Sequence, residues 1–126
     1  MTLAFITGLC GPVLTADEAR FLAASGPAGI ILFSRNCIEA EQIRRLVGDA
    51  REAAGQGDNF LVLIDQEGGR VARLRPPLGR ALPPADAYAA LYGDDAEGGR
   101  EAAFLAARLL ADDLKALGIN TDCAPV

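Results

Sequence analysis

The sequence predicts an α/β protein built around a parallel sheet. Short apolar runs alternate with helical stripes along the chain, and this alternation is typical of right-handed βαβ units. The clearest run is Phe60–Ile64, whose consecutive apolar residues fit a strand buried on both faces. Asp65 follows immediately, which places a carboxylate at the carboxyl end of that strand.

The first half of the chain begins with two strands and the helix between them. A strand is predicted over Leu3–Leu9. Thr15 and Glu18 have the spacing of a capping box, which starts a short helix ending near Ser25–Pro27. A second buried strand is predicted over Gly29–Phe33.

Two further helices are predicted from apolar residues at three-and-four spacing. The first stripe consists of Ile43, Leu46, Val47, Ala50 and Ala54, and Gly55 and Gly57 close it. The second stripe consists of Ala106, Leu109, Leu110, Leu114 and Leu117, and it ends at Gly118. A fourth strand is then predicted over Ile119–Ala124.

The alternation lapses between Gln66 and Gly93, a segment with two proline pairs and the arginines Arg70, Arg73, Arg75 and Arg80. Loops longer than about 12–15 residues in compact domains are usually functional or disordered. Because this one follows the strand that carries Asp65, we expect it to be functional. The alternative is a solvated loop whose arginines offset an acidic protein.

Asp65 is a candidate for ligand contact, since ligands of open α/β sheets and α/β barrels bind at the carboxyl ends of strands. A helix N-cap or a salt-bridged loop acid explains the same position equally well. Gly68–Gly69 resembles part of a phosphate loop but lacks both the GxGxxG and the GxxxxGK[ST] pattern. A nucleotide-binding, flavodoxin-like domain is therefore disfavoured.

Composition excludes several classes of protein. The net charge of −5 argues against a nucleic-acid partner. No apolar run is long enough to span a membrane, and Met1–Gly11 lacks the features of a signal peptide, so we expect a cytoplasmic protein without a membrane partner. Cys10, Cys37 and Cys123 lack CxxC spacing and are expected to be reduced, ordinary thiols that are buried or half-buried.

The chain contains no histidine. This excludes a Ser-His-Asp triad, a Cys-His pair and a histidine-containing metal site within the chain. We therefore expect no metal and no cofactor. Chemistry in this chain would depend on carboxylates, arginines or a partner segment.

Three segments carry a resemblance to a known family. The segments are GIILFSRN at Gly29–Asn36, LIDQEGGRVARL at Leu63–Leu74 and NTDCAPV at Asn120–Val126. In their residues, order and spacing the chain resembles the bacterial β-N-acetylglucosaminidases of glycoside hydrolase family 3. The DQEGGRV block is quite specific, and the likeness covers nearly the whole chain.

The resemblance implies a (β/α)8 TIM barrel that releases non-reducing N-acetylglucosamine from muropeptides during peptidoglycan recycling, with retention of configuration. It further implies that Asp65 hydrogen-bonds the sugar hydroxyls and that Arg73 also contacts the sugar. An ionised carboxylate gives strong, charge-assisted hydrogen bonds to hydroxyls. The predicted substrate-binding residues are thus Asp65 and Arg73.

The departures from the family are as informative as the match. In this branch the nucleophile is an aspartate and the acid/base group is a histidine, both in the later part of the barrel. No catalytic residue can therefore be assigned in this chain, and we expect it to be inactive alone. A complete barrel takes about 250 residues, so residues 1–126 are expected to form an incomplete amino-terminal barrel domain of about three and a half βα units.

The expected partners are an N-acetylglucosamine-containing muropeptide and the missing carboxyl-terminal half of the barrel. The alternative is a small non-catalytic α/β module for sugar binding or protein interaction. The two differ observably, because a module must cover its final strand whereas part of a barrel exposes two unpaired parallel edges.

Overall fold

The computed structural model describes residues 3–125; Met1, Thr2 and Val126, the last residue of the third motif, lie outside them. Its strands are β1 (Leu3–Gly8), β2 (Pro27–Leu32), β3 (Leu61–Ile64), β4 (Gln66–Gly68), β5 (Val71–Ala72) and β6 (Thr121–Asp122). The main sheet contains four parallel strands in the order β1-β2-β3-β6, and β4 and β5 form a short antiparallel pair. The helices are α1 (Ala16–Ser25), α2 (Ala40–Ala54), α3 (Ala85–Asp94) and α4 (Ala96–Ala116).

The two central strands of the parallel sheet bury one face completely. Ile30 of β2 pairs with Val62 of β3, and the side chains of these strands on this face are 0% exposed: Ile30, Leu32, Val62 and Ile64. The other face carries Leu61, which is 39% exposed, and Ile6 of β1, which is 38% exposed. The prediction that the third strand is buried on both faces is therefore wrong for the described residues, since only its Val62 face packs into the core.

The capping box at the start of α1 is confirmed. The Glu18 amide donates to Thr15 Oγ1 at 3.2 Å, and the Thr15 amide donates to Glu18 Oε2 at 2.9 Å. The second oxygen of that carboxylate accepts the Cys10 amide at 2.7 Å, so Glu18 also ties the loop after β1 to the helix. Gly26 then ends α1 with a left-handed φ of 55°.

The predicted stripe of α2 is confirmed as the face that covers the sheet. Ile43, Leu46, Val47 and Ala50 are all buried in the core, and Ala54 packs against it. Gly55 closes the helix in the left-handed region, with φ 64°. This conformation suits glycine because it has no Cβ to collide with the following carbonyl.

The helix α4 begins ten residues before its predicted apolar stripe. Its carboxyl-terminal end packs against the core. Leu114 and Leu117 are buried, but Leu109 is 43% exposed, so that residue does not belong to the core face. The last strand is shorter than the predicted Ile119–Ala124, since β6 covers only Thr121–Asp122.

The segment from Gln66 to Gly93 is not a continuous loop as the sequence suggested. It contains the β4–β5 pair and most of α3, both of which the sequence analysis missed. No residue of α3 is buried, so this helix lacks the apolar stripe by which helices are recognised. Within residues 3–125, no helix is both long and apolar enough to cross a membrane.

Candidate functional site

The carboxyl ends of the parallel strands bring together the two residues that the sequence predicted as a ligand site. Asp65 follows β3 directly, and Arg73 lies eight residues further along the chain, after β5. Arg73 Nη2 donates to Asp65 Oδ2 at 2.7 Å. Their side chains are 24% and 29% exposed, so the pair is shielded but remains accessible at its rim. Their contact with a sugar stays a prediction.

A tight glycine turn carries the chain from Asp65 back to Arg73. Gly68 and Gly69 both have positive φ, at 90° and 57°. The Gly69 amide donates to Leu82 O at 2.9 Å, and a Cβ on Gly68 would overlap the Pro83 carbonyl oxygen. The glycine pair is therefore required by the turn and by the close approach of residues 82–84, not by a phosphate.

Gln66 holds the two ends of this hairpin together. Its side chain is buried, and its amide group makes two hydrogen bonds of 2.9 Å with the backbone of Leu74, one to the N–H and one to the carbonyl. The Gln66 backbone N–H donates to Asp122 Oδ1 at 2.9 Å. Gln66 and Leu74 are the immediate neighbours of Asp65 and Arg73 in the sequence. The two hydrogen bonds between Gln66 and Leu74 therefore lie next to the ion pair.

Asp122 at the end of β6 is the third carboxylate of the site. Burial raises the pKa of Asp122, and the charges of Glu67 and Asp65 raise it further, against the hydrogen bonds from the Gln66 and Cys123 amides. Burial also raises the pKa of the Cys123 thiol, with Asp65 and Asp122 adding to the effect. The charges of Asp65 and Glu67 thus act on Asp122, whereas Arg73 forms its ion pair with Asp65.

The cysteines follow the sequence expectation only in part. Cys37 and Cys123 are half-buried free thiols as expected, whereas Cys10 is exposed. Burial raises the pKa of Cys37 to about 11. Because the thiolate is the reactive form, raised thiol pKa values disfavour nucleophilic or metal-binding roles for Cys37 and Cys123. Residues 3–125 contain no group of three or more His, Cys, Asp or Glu side chains suited to a metal ion.

The neighbouring strand ends are fixed by Asn36, which sequence reasoning did not single out. Its side chain is 0% exposed, donates to Leu9 O at 3.2 Å and to Gly11 O at 2.8 Å, and accepts the Phe33 amide at 2.9 Å. Arg35 Nε adds a bond of 2.9 Å to Leu9 O. The available signal was a polar triplet placed directly after a buried strand.

The arginines of the long segment have different roles. Arg70 and Arg75 are exposed, as a solvated loop predicts. Arg80 is exposed too, at 45%, but it also donates to Asp113 Oδ1 at 2.6 Å and to Leu109 O at 2.9 Å. Its backbone N–H also donates to Asp113. Arg80 therefore anchors the proline-rich segment to α4 from the protein surface.

Comparison with known proteins identifies the segment. The profile described as "Glycosyl hydrolase family 3 N terminal domain" matches residues 6–126. A protein named Beta-hexosaminidase from Methylococcus capsulatus is 42% identical over 118 residues, covering 94% of this chain and 33% of the relative. A protein of the same name from Xylella fastidiosa is 40% identical over 121 residues, covering 96% of this chain and 35% of the relative. The chain thus spans about a third of the length of these curated relatives.

Solved structures agree with the fold. NagZ from Neisseria gonorrhoeae in complex with zinc ion superposes with a TM-score of 0.90 at 28% identity, covering 98% of this chain and 36% of that one. A β-N-acetylglucosaminidase from Paenibacillus sp. superposes with a TM-score of 0.82 at 34% identity, covering 96% of this chain and 22% of that one. NagZ from Neisseria gonorrhoeae in complex with N-trifluoroacetyl-D-glucosamine has a TM-score of 0.90 at 28% identity, covering 98% of this chain and 35% of that one. The prediction of an α/β segment from an amino-terminal barrel domain is confirmed.

Proposed function

This chain belongs to glycosyl hydrolase family 3, and from that premise we propose that it supplies part of an N-acetylglucosamine subsite to a β-hexosaminidase. The observation that carries the proposal is the Asp65–Arg73 pair of 2.7 Å, at the carboxyl edge of the parallel sheet. Two relatives bear the name Beta-hexosaminidase, and NagZ has been crystallised with an N-acylated glucosamine. Both facts agree with a sugar that carries an acylated amino group.

The chemistry of the pair suits sugar hydroxyls. An ionised carboxylate accepts hydroxyl protons in charge-assisted bonds, and a guanidinium presents several donors in a fixed plane. Arg73 occupies one oxygen of Asp65 and holds the carboxylate in one orientation. In this role Asp65 and Arg73 bind and orient the sugar, while neither attacks the glycosidic bond.

The wider activity follows as part of the same proposal. The substrate is an N-acetylglucosamine-containing muropeptide, the place is the cytoplasm, and the process is peptidoglycan recycling. The nucleophile and the acid/base group belong to other βα units, so residues 1–126 alone release no sugar. In support, β1 and β6 each pair with a single neighbour in the described sheet, as two edges of an unclosed barrel would.

Sugar binding tests the proposal directly. We would titrate N-acetylglucosamine into the 15N-labelled chain and compare the wild type with Asp65→Asn, which keeps the shape and removes the charge. Loss of one hydrogen bond to a charged group is worth about 1.5–3 kcal/mol, so we expect Kd to rise about 10-fold to 100-fold. Binding that is unchanged in a folded Asp65→Asn variant would refute the sugar role.

The chain offers a matched control for that variant. Asp113 also pairs with an arginine, through a contact of 2.6 Å, and its side chain is 19% exposed against 24% for Asp65. Asp113→Asn breaks an equivalent ion pair away from the strand ends and should leave sugar binding unchanged. Equal weakening by both substitutions would show that general destabilisation, not lost contact, explains the effect.

Turnover of an aryl N-acetylglucosaminide tests the catalytic part. We expect none above background from residues 1–126, and activity only when the carboxyl-terminal part of a family 3 relative is supplied. Turnover by the chain alone would show that it contains a nucleophile and an acid of its own.

A further inference from the structure

We infer that Gln66 is a positioning residue for the sugar subsite, acting through Arg73; the inference rests on the proposed function. The "Gln66 clamp" denotes three hydrogen bonds: two between the Gln66 side chain and the Leu74 backbone, and one from the Gln66 backbone N–H to Asp122. These three hydrogen bonds measure 2.9 Å each. No role in binding follows from the family match for this glutamine.

The clamp works because a glutamine side chain can imitate a neighbouring strand. Its carbonyl accepts the Leu74 N–H and its NH₂ group donates to the Leu74 C=O, which is the pattern of a β-ladder pair. The backbone ladder itself is short here, since β5 contains only Val71–Ala72. The side chain of Gln66 therefore extends the pairing past the end of β5, across the position of Arg73.

Burial makes the loss of these hydrogen bonds costly. Gln66 is only 5% exposed and Leu74 only 1%, so water cannot replace the bonds if the glutamine is lost. A buried backbone donor and acceptor would then be left unpaired, which is costly. The backbone at Leu74 would move to reach solvent, and Arg73 would move with it because it is the adjacent residue.

Arg73 provides its own reporter of that movement. Its Nε is shielded from solvent and has no hydrogen-bond partner within residues 3–125, whereas its Nη2 bonds Asp65. The Nε proton should therefore exchange slowly with water because of burial alone. An Arg73 side chain released from the site would lose that protection even if the rest of the protein stayed folded.

The test compares Gln66→Met with Gln42→Met in the 15N-labelled chain. Methionine has a similar length and no hydrogen-bonding amide. Gln42 is a matched control, because its side chain also bridges backbone groups, donating to Pro12 O at 2.6 Å and Asn36 O at 2.9 Å, away from Arg73. The Arg73 Nε signal is assigned by its disappearance in Arg73→Lys, and N-acetylglucosamine is the ligand probe.

We expect Gln66→Met to accelerate exchange of the Arg73 Nε proton about tenfold or more and to raise Kd for the sugar about fivefold. Gln42→Met should do neither, although it loses comparable bonds. A folded Gln66→Met variant with an unchanged Arg73 signal would overturn the inference. Equal changes at Arg73 in Gln42→Met would overturn it as well, since they would indicate a general loss of stability.

Two further outcomes separate the clamp from the sugar role. If the wild type binds no sugar while Gln66→Met still releases Arg73, the clamp stands and the proposed function fails. If Gln66→Met does not fold, Gln66→Glu replaces it, because glutamate keeps the acceptor for the Leu74 N–H but loses the donor and sets a carboxylate against the Leu74 carbonyl. We expect accelerated exchange at Arg73 in that variant as well, and an unchanged signal would overturn the inference.

Discussion

Replacing Asn36, a buried polar residue beside the strand ends, by alanine should destabilise the protein. Its side chain makes bonds of 2.9 Å with the Phe33 N–H and 2.8 Å with Gly11 O, and a third with Leu9 O. Leu9 O keeps a bond from Arg35 after the substitution, so two backbone groups lose the partner that Asn36 supplies.

The magnitude follows from those two groups. A buried group left unpaired costs about 1–3 kcal/mol. Water can reach part of the Gly11 carbonyl, because that bond is only partly buried. We therefore expect Asn36→Ala to lower the free energy of unfolding by about 2–4 kcal/mol, toward the sum for two such groups.

Urea denaturation followed by circular dichroism measures this loss. Asn59→Ala is the control, since Asn59 is exposed and its substitution should change stability by less than about 0.5 kcal/mol. The Nε signal of Arg73 should be unchanged in Asn36→Ala, because, in the described part of the chain, the β4–β5 hairpin next to Arg73 makes no hydrogen bond with the Asn36 side chain. A loss below about 1 kcal/mol for Asn36→Ala would refute the view that Asn36 fixes the first two strand ends.

Three further substitutions test other parts of the fold. Hydrogen bonds from the Cys10 and Thr15 amides outweigh burial and lower the pKa of Glu18 from 4.5 to about 2; its stabilisation is therefore full above pH 4.5 and lost as the pH falls toward 2. Glu18→Gln should lower stability clearly at about pH 6 and much less at about pH 2.5 in urea titrations, and an equal loss at both would contradict this. A methyl group at Gly29 would overlap the backbone of the adjacent strand, whereas Gly48 has open space around its Cβ position; Gly29→Ala should cost about 1–3 kcal/mol or more and Gly48→Ala should not destabilise, and similar midpoints would refute the packing argument. Asp113→Ala removes the acceptor for the Arg80 amide and should speed its hydrogen exchange with a stability loss of about 1 kcal/mol or less, whereas unchanged exchange would show that this anchor is unimportant.

The elements that the sequence predicted correctly are those whose burial leaves a pattern. The stripe of α2 and the run Phe60–Ile64 are regular because each packs against the same core. The helix α3 has no buried residue, so its sequence carries no such pattern. Leu109 shows the converse, because an apolar residue in helical spacing can remain exposed where nothing covers it.

The site was predictable in part for a related reason. Asp65 stood out because it interrupts an apolar run at a strand end, and Arg73 was identified by family resemblance. Gln66 and Asn36 were missed because a single polar residue has no periodicity. Both are buried polar residues, and both immediately follow or lie close to a strand end. Such residues need hydrogen-bond partners within the protein. This requirement can be recognised only when their burial is known.

The geometry of the candidate subsite is encoded largely within ten residues. The Asp65–Arg73 and Gln66–Leu74 contacts each span eight positions, whereas the Gln66–Asp122 bond spans 56. Short loops cost little entropy to close, so the hairpin can form with few contacts from distant parts of the chain. Under the proposed function, the residues that orient the sugar would therefore depend mainly on local sequence, and those that cleave it would belong to other units of the barrel. Binding and turnover should consequently separate in this chain, with sugar binding sensitive to Asp65 and turnover absent regardless of it.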